Sequence, residues 1–324
     1  MERGGKVIGM LRNTLKRIFI IWILLLAAVV LAGDVSWAAT DVGRTAADFL
    51  LIGHGARAAG FGGAYTAVCR GASAAYWNPA GLTELQSGRV SLGHFSWFQD
   101  ITVEQASIGL PVSDAIAAAV SVTYVNYGTI DGYDMSGNAT GEIAAYDWAG
   151  GLSFGFVLSE QASVGITGKY VNQRLDDVSA SSFAADLGLR YSFESIAFAA
   201  TVTNLGGEMQ FDEVAEKLPA AARFGVQLMP FSEALMASFE LEKRFQGDLY
   251  LRQGMELGFS DQYYLRVGCD YLPAQNGRSL ATGLSFGAGV QFDFGGFDYA
   301  FTPNDKSTSE DLHRFTLTLL FSRK

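Results

Sequence analysis

The sequence predicts an all-β fold: a transmembrane antiparallel β-barrel of about fourteen strands, led by an N-terminal luminal plug segment. Three observations point there. Between Arg89 and Phe321 fourteen segments have β character, and the gaps between them alternate short and long. Most of these segments run 9–13 residues, and those of the second half alternate apolar and polar. The last segment, His313 to Phe321, ends in an aromatic close to the chain terminus. A barrel in an outer membrane has brief turns at its periplasmic end, longer loops outside and an even strand number. A soluble sandwich has no reason to keep loop length in phase with strand parity.

The first 38 residues form a separate unit. Arg3, Lys6, Arg12, Lys16 and Arg17 precede an apolar run from Ile18 to Leu31, and Ser36-Trp37-Ala38 offers small residues where a signal peptidase cuts. This is the pattern of a secretory signal peptide, expected to end at Ala38, with Ala39 as the alternative. The run of about 14 residues falls short of the roughly 20 needed for a spanning helix. No later apolar run reaches that length, so a membrane would have to be crossed by strands. The expected organisation is a signal peptide over 1–38, a plug over 39–88 and an outer-membrane barrel over 89–324.

Charge narrows the function classes. The chain carries −10, and −13 once residues 1–38, with five basic and two acidic side chains, are removed. That balance repels polyphosphate and argues against nucleic-acid partners. Cys69 and Cys269 read as two small buried hydrophobes rather than a bridge, although an exported compartment permits disulfides.

The leading segment is not strand-like. From Gly53 to Leu82 it is dominated by Gly and Ala, which let backbone approach backbone closely. Fourteen strands enclose more space than wall side chains fill, and a compact small-residue segment of about 50 residues would occupy it.

The strand gaps follow in order. The short set is Pro111–Asp114, Ser159–Glu160, Glu194–Ser195, Pro230–Glu233, Asp261–Gln262 and Gly295–Gly296. The interleaved set is Gly128–Ile143, Arg174–Ala180, Gly206–Leu218, Pro273–Arg278 and Thr302–Leu312, with two brief members at Phe98–Asp100 and Gln246–Asp248. Of these, 128–143, 206–218 and 302–312 are expected to be long outer loops.

Strand faces are clearest in the second half. Phe183, Leu187, Leu189, Tyr191 and Phe193 share one face, opposite Asp186, Gly188 and Arg190. Leu251, Met255, Leu257 and Phe259 oppose Arg252, Gly254, Glu256 and Gly258. Tyr263, Leu265, Val267 and Cys269 oppose Arg266, Gly268 and Asp270. Period two over such lengths means two environments, and these segments exceed the usual 5–6 residues of a soluble strand. The apolar face is assigned to lipid. Glycine on the polar face suits a crowded interior, and the mixture of Arg with Asp and Glu suits luminal charge pairing. Aromatic pairs near segment ends, Trp97–Phe98, Tyr124 with Tyr127, Tyr146 with Trp148, Tyr191 with Phe193 and Tyr263–Tyr264, fit headgroup-level girdles.

Two groups of candidate functional residues emerge. The luminal charges are Asp186, Arg190, Glu240, Glu242, Arg244, Arg252, Glu256, Arg266 and Asp270. They read either as mutual pairs filling the interior or as an array that a passing solute meets. The plug and ligand-path candidates are Arg57, Phe61, Gly62, Gly63, Tyr65, Tyr76, Trp77, Asn78, Pro79 and Gly81. Arg57 is the candidate anchor of plug to wall, since a guanidinium forks onto a carboxylate that Glu240, Glu242, Glu256 or Asp270 could supply. Trp77-Asn78-Pro79 reads as a turn leaving the plug, or as a hinge. Phe61, Tyr65, Tyr76 and Trp77 would line a greasy pocket between plug and wall.

Enzyme signatures are missing. Gly53-His-Gly-Ala-Arg-Ala58 imitates a dinucleotide turn without the βαβ context or the acidic residue that chemistry requires. His54, His94 and His313 are too scattered for a metal site, and no nucleophile elbow is present. Neither a cofactor nor a metal is expected.

Arg57-Ala58, Gly62-Gly63-Ala64-Tyr65-Thr66-Ala67 and Ala74-Ala75-Tyr76-Trp77-Asn78-Pro79-Ala80-Gly81-Leu82 together resemble the amino-terminal signature of the PorV/PorQ family, itself similar to the fatty-acid transporter FadL. The chain departs from that pattern at Cys69-Arg70-Gly71, where the family usually carries acidic residues. The closing segment resembles the last strand of bacterial outer-membrane barrels, extended here by Ser322-Arg323-Lys324. The resemblance implies a fourteen-stranded outer-membrane barrel with a luminal plug. It implies outer-membrane lipid as a partner and, as the leading activity, FadL-like passage of hydrophobic small molecules. Its alternative is a component of type IX secretion that binds cargo or partner subunits through outer loops.

Overall fold

The structure, a computed structural model, describes residues 45–97, 101–211, 214–230, 234–247, 249–271, 283–303 and 311–321. The signal peptide read at 1–38 and the gap read at 273–278 lie outside them. The strands are β1 (Gly88–Ser96), β2 (Thr102–Ser113), β3 (Ile116–Tyr133), β4 (Ala139–Val157), β5 (Ala162–Leu175), β6 (Val178–Phe193), β7 (Ile196–Gly206), β8 (Glu208–Phe211), β9 (Val214–Lys217), β10 (Ala221–Leu228), β11 (Leu235–Arg244), β12 (Leu249–Phe259), β13 (Tyr263–Tyr271), β14 (Leu284–Phe292), β15 (Gly295–Thr302) and β16 (Leu312–Phe321). Fourteen of them, all but β8 and β9, close into one antiparallel barrel. β16 seals it by pairing with β1 from Gly88↔Phe321 to Phe95↔Arg314. Closure leaves the barrel itself without an unpaired edge.

The alternation of faces decides what points where. Phe183, Leu187, Leu189, Tyr191 and Phe193 are exposed on the outer face of β6, whereas Ala184, Asp186 and Arg190 are buried. Leu257, Phe259, Tyr263 and Leu265 are likewise outside, and Glu256 and Arg266 are buried. An apolar outside around a charged inside inverts the order of a soluble protein.

The loops differ from expectation in three places. Residues 128–143 are largely strand: β3 and β4 run on past a bulge at Asn126/Thr129 and turn only at Asp134–Asn138. Thr129, Ile130, Tyr133 and Ile143 favour extended backbone, and Asp134 ties the tip by accepting from Ser136 N and Asn138 N, both at 2.8 Å. The 174–180 gap shrinks to a tight turn at Asp176–Asp177, with Asp176 at φ 55°; aspartate tolerates that left-handed conformation. Residues 206–218 form the β8–β9 hairpin, which folds back over the barrel mouth rather than outward. Met209 is fully enclosed there with Phe49, Val103, Val125, Val171 and Leu218. Smaller shifts occur as well: β15 begins at Gly295, so the turn before it, Asp293–Phe294, lies two residues earlier. Trp97 and Tyr127 pack against the interior cluster, and Tyr264 faces Arg266 inside, instead of joining a girdle.

The described residues before β1, 45–87, lie inside the barrel. Its elements are a 3-10 turn at Asp48–Leu51, a short helix at Ala56–Gly60, a 3-10 turn at Gly71–Ser73, a helical turn at Ala74–Trp77 and a 3-10 turn at Pro79–Glu84. The helix packs on β13, β14, β15 and β16, and the last turn on β3 to β6.

Candidate functional site

The interior meeting of leading segment and wall is made possible by missing side chains. A Cβ on Gly268 would collide with Gly62 N, and one on Gly254 would stand 2.5 Å from Phe61 O. On the opposite wall, a Cβ on Gly188 would collide with Asn78 Oδ1, and one on Gly165 with Pro79 C. The wall glycines therefore mark where backbone docks on backbone. Asn78, fully buried, donates from Nδ2 to Thr66 O (3.3 Å) and Leu189 O (3.2 Å) and accepts from Ala80 N (3.1 Å). Trp77-Asn78-Pro79 is thus clamped to β5 and β6, and the exit toward β1 comes later, through Pro79–Glu84. Gly81 is packed on Cys69, whose carbonyl oxygen would stand 2.6 Å from an added Cβ.

Charged side chains make the second set of contacts. Arg57 forks onto Glu256, Nε to Oε2 at 3.0 Å and Nη2 to Oε1 at 2.7 Å. Arg266, which faces Glu256 across the strand pair, binds the same carboxylate at 2.5 Å and Asp298 at 2.6 Å. Glu240 accepts from Tyr65 N at 3.0 Å and Thr66 N at 2.8 Å. Arg252 stands opposite both Glu240 and Asp270 in register, reaching the first at 3.5 Å and the second at 3.6 Å. Glu242 takes Arg223 at 2.6 Å, Arg252 at 2.7 Å and Arg244 at 2.9 Å. These residues comprise five arginines and five carboxylates, so the cluster is neutral as a whole; buried charge needs that balance. Asp186 and Arg190 lie apart, paired with Lys169 (2.7 Å) and Glu84 (2.8 Å).

Several of these partners were not singled out by sequence. Lys169, Arg223 and Asp298 sit at inward positions between outward apolar neighbours, and the same alternation that marks Arg190 could have found them. Glu84 lies in the irregular leading segment, where no periodicity exists to mark it.

The aromatic residues pack mainly on each other. His54 stacks on Tyr76 at 4.4 Å, Tyr76 meets Trp77 edge-on at 5.1 Å, Trp77 meets Tyr65 at 5.7 Å, and Tyr65 meets Phe61 at 6.0 Å. Trp77 Nε1 donates to His54 O (2.9 Å) and Tyr76 OH to Leu50 O (2.9 Å). Burial lowers the His54 imidazole to about 3, helped by the charge of Lys169, so the ring is neutral beside Thr123 Oγ1 at 2.5 Å. Burial pushes the Cys69 thiol up to about 12, which leaves it unreactive. Neither cysteine is in a disulfide and both are buried, which for Cys269 differs from the lipid contact expected of its place on the apolar face.

Two cavities flank the segment around the Ala56–Gly60 helix. One, of about 370 Å³, opens among the short turns and is lined by Arg57, Tyr65, Arg70, Arg89, Glu256 and Arg266 with others. The second, of about 390 Å³, lies toward the long-loop end beside Gly62, Gly63, Trp77, Glu242, Arg252 and Asp270. Their walls mix charge with carbon instead of forming the expected greasy pocket. Tyr65 and Trp77 each border one cavity, whereas Phe61 is fully enclosed. Among the described residues no group of three or more His, Cys, Asp or Glu is placed to hold a metal.

CymD, a monoaromatic hydrocarbon channel, superposes with a TM-score of 0.63 at 16% identity, covering 84% of this chain and 99% of that one. The Pseudomonas putida toluene transporter TodX gives 0.59 at 13%, covering 82% and 96%. A Pseudomonas aeruginosa FadL homologue gives 0.55 at 12%, covering 82% and 98%. At these identities the likeness establishes a shared FadL-like barrel fold. No curated protein matches the chain by sequence. The profile of an uncharacterised protein family, UPF0164, matches residues 26–205, more than half of the sequence, and the chain belongs to that family.

Proposed function

We propose that this protein is an outer-membrane channel of PorV/PorQ type, exported by its signal peptide, in which residues 39–88 act as the luminal plug and small hydrophobic molecules pass beside it. One observation carries the reading: two cavities of about 370 and 390 Å³ face each other across the leading segment inside a closed barrel. A modest displacement of that segment would join them. Arg57, Glu240 and the Phe61–Gly63 and Asn78–Pro79 contacts are the proposed anchors resisting it. The apolar outer face suits lipid, and neighbours of the same fold are hydrocarbon channels.

A second reading, a secretion component that docks protein, has one feature in its favour. The β3–β4 hairpin is built from the longest of the described strands and carries Tyr133 and Met135 exposed near its tip. Uptake of radiolabelled toluene by a host without such channels separates the two. Uptake above the empty-vector control supports passage. Background uptake, with recovery of a secretion partner that is lost when residues 131–141 are replaced by a short turn, supports docking.

A further inference from the structure

The arginines of the two cavities are neutralised differently. At the long-loop end Arg223, Arg244 and Arg252 all reach Glu242. At the short-turn end Arg57 and Arg266 share Glu256, and Arg266 also holds Asp298. Arg70 and Arg89, which line that same cavity, reach no carboxylate among the described residues. Arg70 Nη2 rests 3.7 Å from Met229 Sδ and 3.2 Å from the Gln227 amide oxygen, in the orientation that also lets Gln227 donate to Ala67 O at 2.9 Å. Both partners are neutral. Nε of Arg70 and Nε of Arg89 are buried without any hydrogen bond. The Arg89 side chain lies against Gly71, the residue that follows Arg70: an added Cβ there would lie 3.0 Å from Arg89 Cδ and 3.3 Å from its Nη1.

We infer that the short-turn cavity is a binding site for a small solute bearing a doubly charged oxyanion, of the phosphate or sulfate ester class, held between Arg70 and Arg89. Guanidinium forks match oxyanions in geometry and charge, and two unneutralised forks suit a dianion better than a monocarboxylate. Ser91, Thr316 and Thr318 add hydroxyls to the lining. Ionised groups around the cavity are four arginines (Arg57, Arg70, Arg89 and Arg266) against Glu256, Asp261 and Asp298, a positive balance in a chain of net −10. About 370 Å³ far exceeds a bare anion of a few water volumes, each roughly 30 Å³, and leaves room for an organic body. The site lies inside the wall, so the ligand is a soluble molecule entering from the short-turn end rather than a lipid headgroup. This inference stands apart from the passage of hydrophobic solutes.

Calorimetric titration of the detergent-extracted protein with phenyl phosphate at low salt tests it. Saturable binding is expected, weakened more than tenfold in Arg70→Gln and in Arg89→Gln and less in Arg89→Lys. Lys243→Gln, at an exposed outward position, is expected to bind as the parent does, and phenol, the same ring without the dianion, to give no heat. Folding of each variant is read from heat-modifiable gel migration. Absence of phenyl phosphate binding by the parent, undiminished affinity in both glutamine variants, or equal binding of phenol overturns the assignment.

Discussion

Asn78 occupies the space that a side chain at position 188 would need: its Oδ1 lies where the Cβ of any residue replacing Gly188 would be. The contact joins a fully buried polar residue of the leading segment to the middle of β6. The same asparagine is committed to Thr66, Leu189 and Ala80, so it has no slack with which to retreat. Gly188→Val is therefore expected to expel the Asn78–Pro79 turn, at a cost of about 1–3 kcal/mol for overpacking. A lowered thermal unfolding midpoint checks this. Gly168→Val on neighbouring β5, where nothing stands within 4 Å of an added Cβ, is expected to change it far less.

The Arg57–Glu256 fork gives the second prediction. Arg57→Met leaves the nearly inaccessible Glu256 carboxylate with Arg266 alone. Because one cation remains and Arg57 is itself partly solvated, the expected loss is about 1–2 kcal/mol, nearer a charged hydrogen bond than an orphaned buried ion. Protease access to the leading segment, followed at Lys or Arg sites, should rise in Arg57→Met and less in Arg57→Lys, which keeps the charge but not the fork. Unchanged access in both would remove Arg57 as an anchor.

His54 gives a pH dependence with a definite sign. Its folded-state value of about 3 lies below the ordinary 6.5. Above 6.5 both states are neutral there and nothing is lost. As pH falls from 6.5 toward 3 the unfolded chain takes up a proton that the folded one refuses, so stability declines, by up to about 1.4 kcal/mol per pH unit. Denaturant midpoints between pH 7.5 and 5 should fall in the parent and less steeply in His54→Gln. Parallel slopes would assign the effect to other groups.

Spin labels test which face meets lipid. In a background of Cys69→Ala and Cys269→Ala, labels at Leu187, Val267 and Leu317 should show oxygen-dominated relaxation, as acyl-chain contact requires. A label at Thr318, on the wall of the short-turn cavity, should favour a water-soluble nickel complex. Water-dominated relaxation at the first three would contradict the transmembrane reading.

Much of the fold was legible in the order of the residues. The outward row of β6, the inward Glu256 and Arg266, and the closing strand that ends at Phe321 all follow from strict alternation, because a strand has only two faces. Glycines 188, 254 and 268 were readable as signs of crowding. What they are crowded by was not, since collisions with Asn78 and Phe61 depend on residues about 110 to 210 positions away. Loop length was misjudged wherever polar residues continued a strand: a paired hairpin such as β3–β4 satisfies its backbone without any apolar pattern to advertise it.

By itself, then, the sequence determined a closed cylinder with carbon outside and charge inside, since period and segment length suffice for that. Only the tertiary structure decided which charges meet. Glu256 chose Arg57 and Arg266, Glu242 drew three arginines, and Arg70 and Arg89 were left facing a cavity. The register between strands and the path of the leading segment place those atoms within a few ångströms of one another, and neither is written in any local pattern.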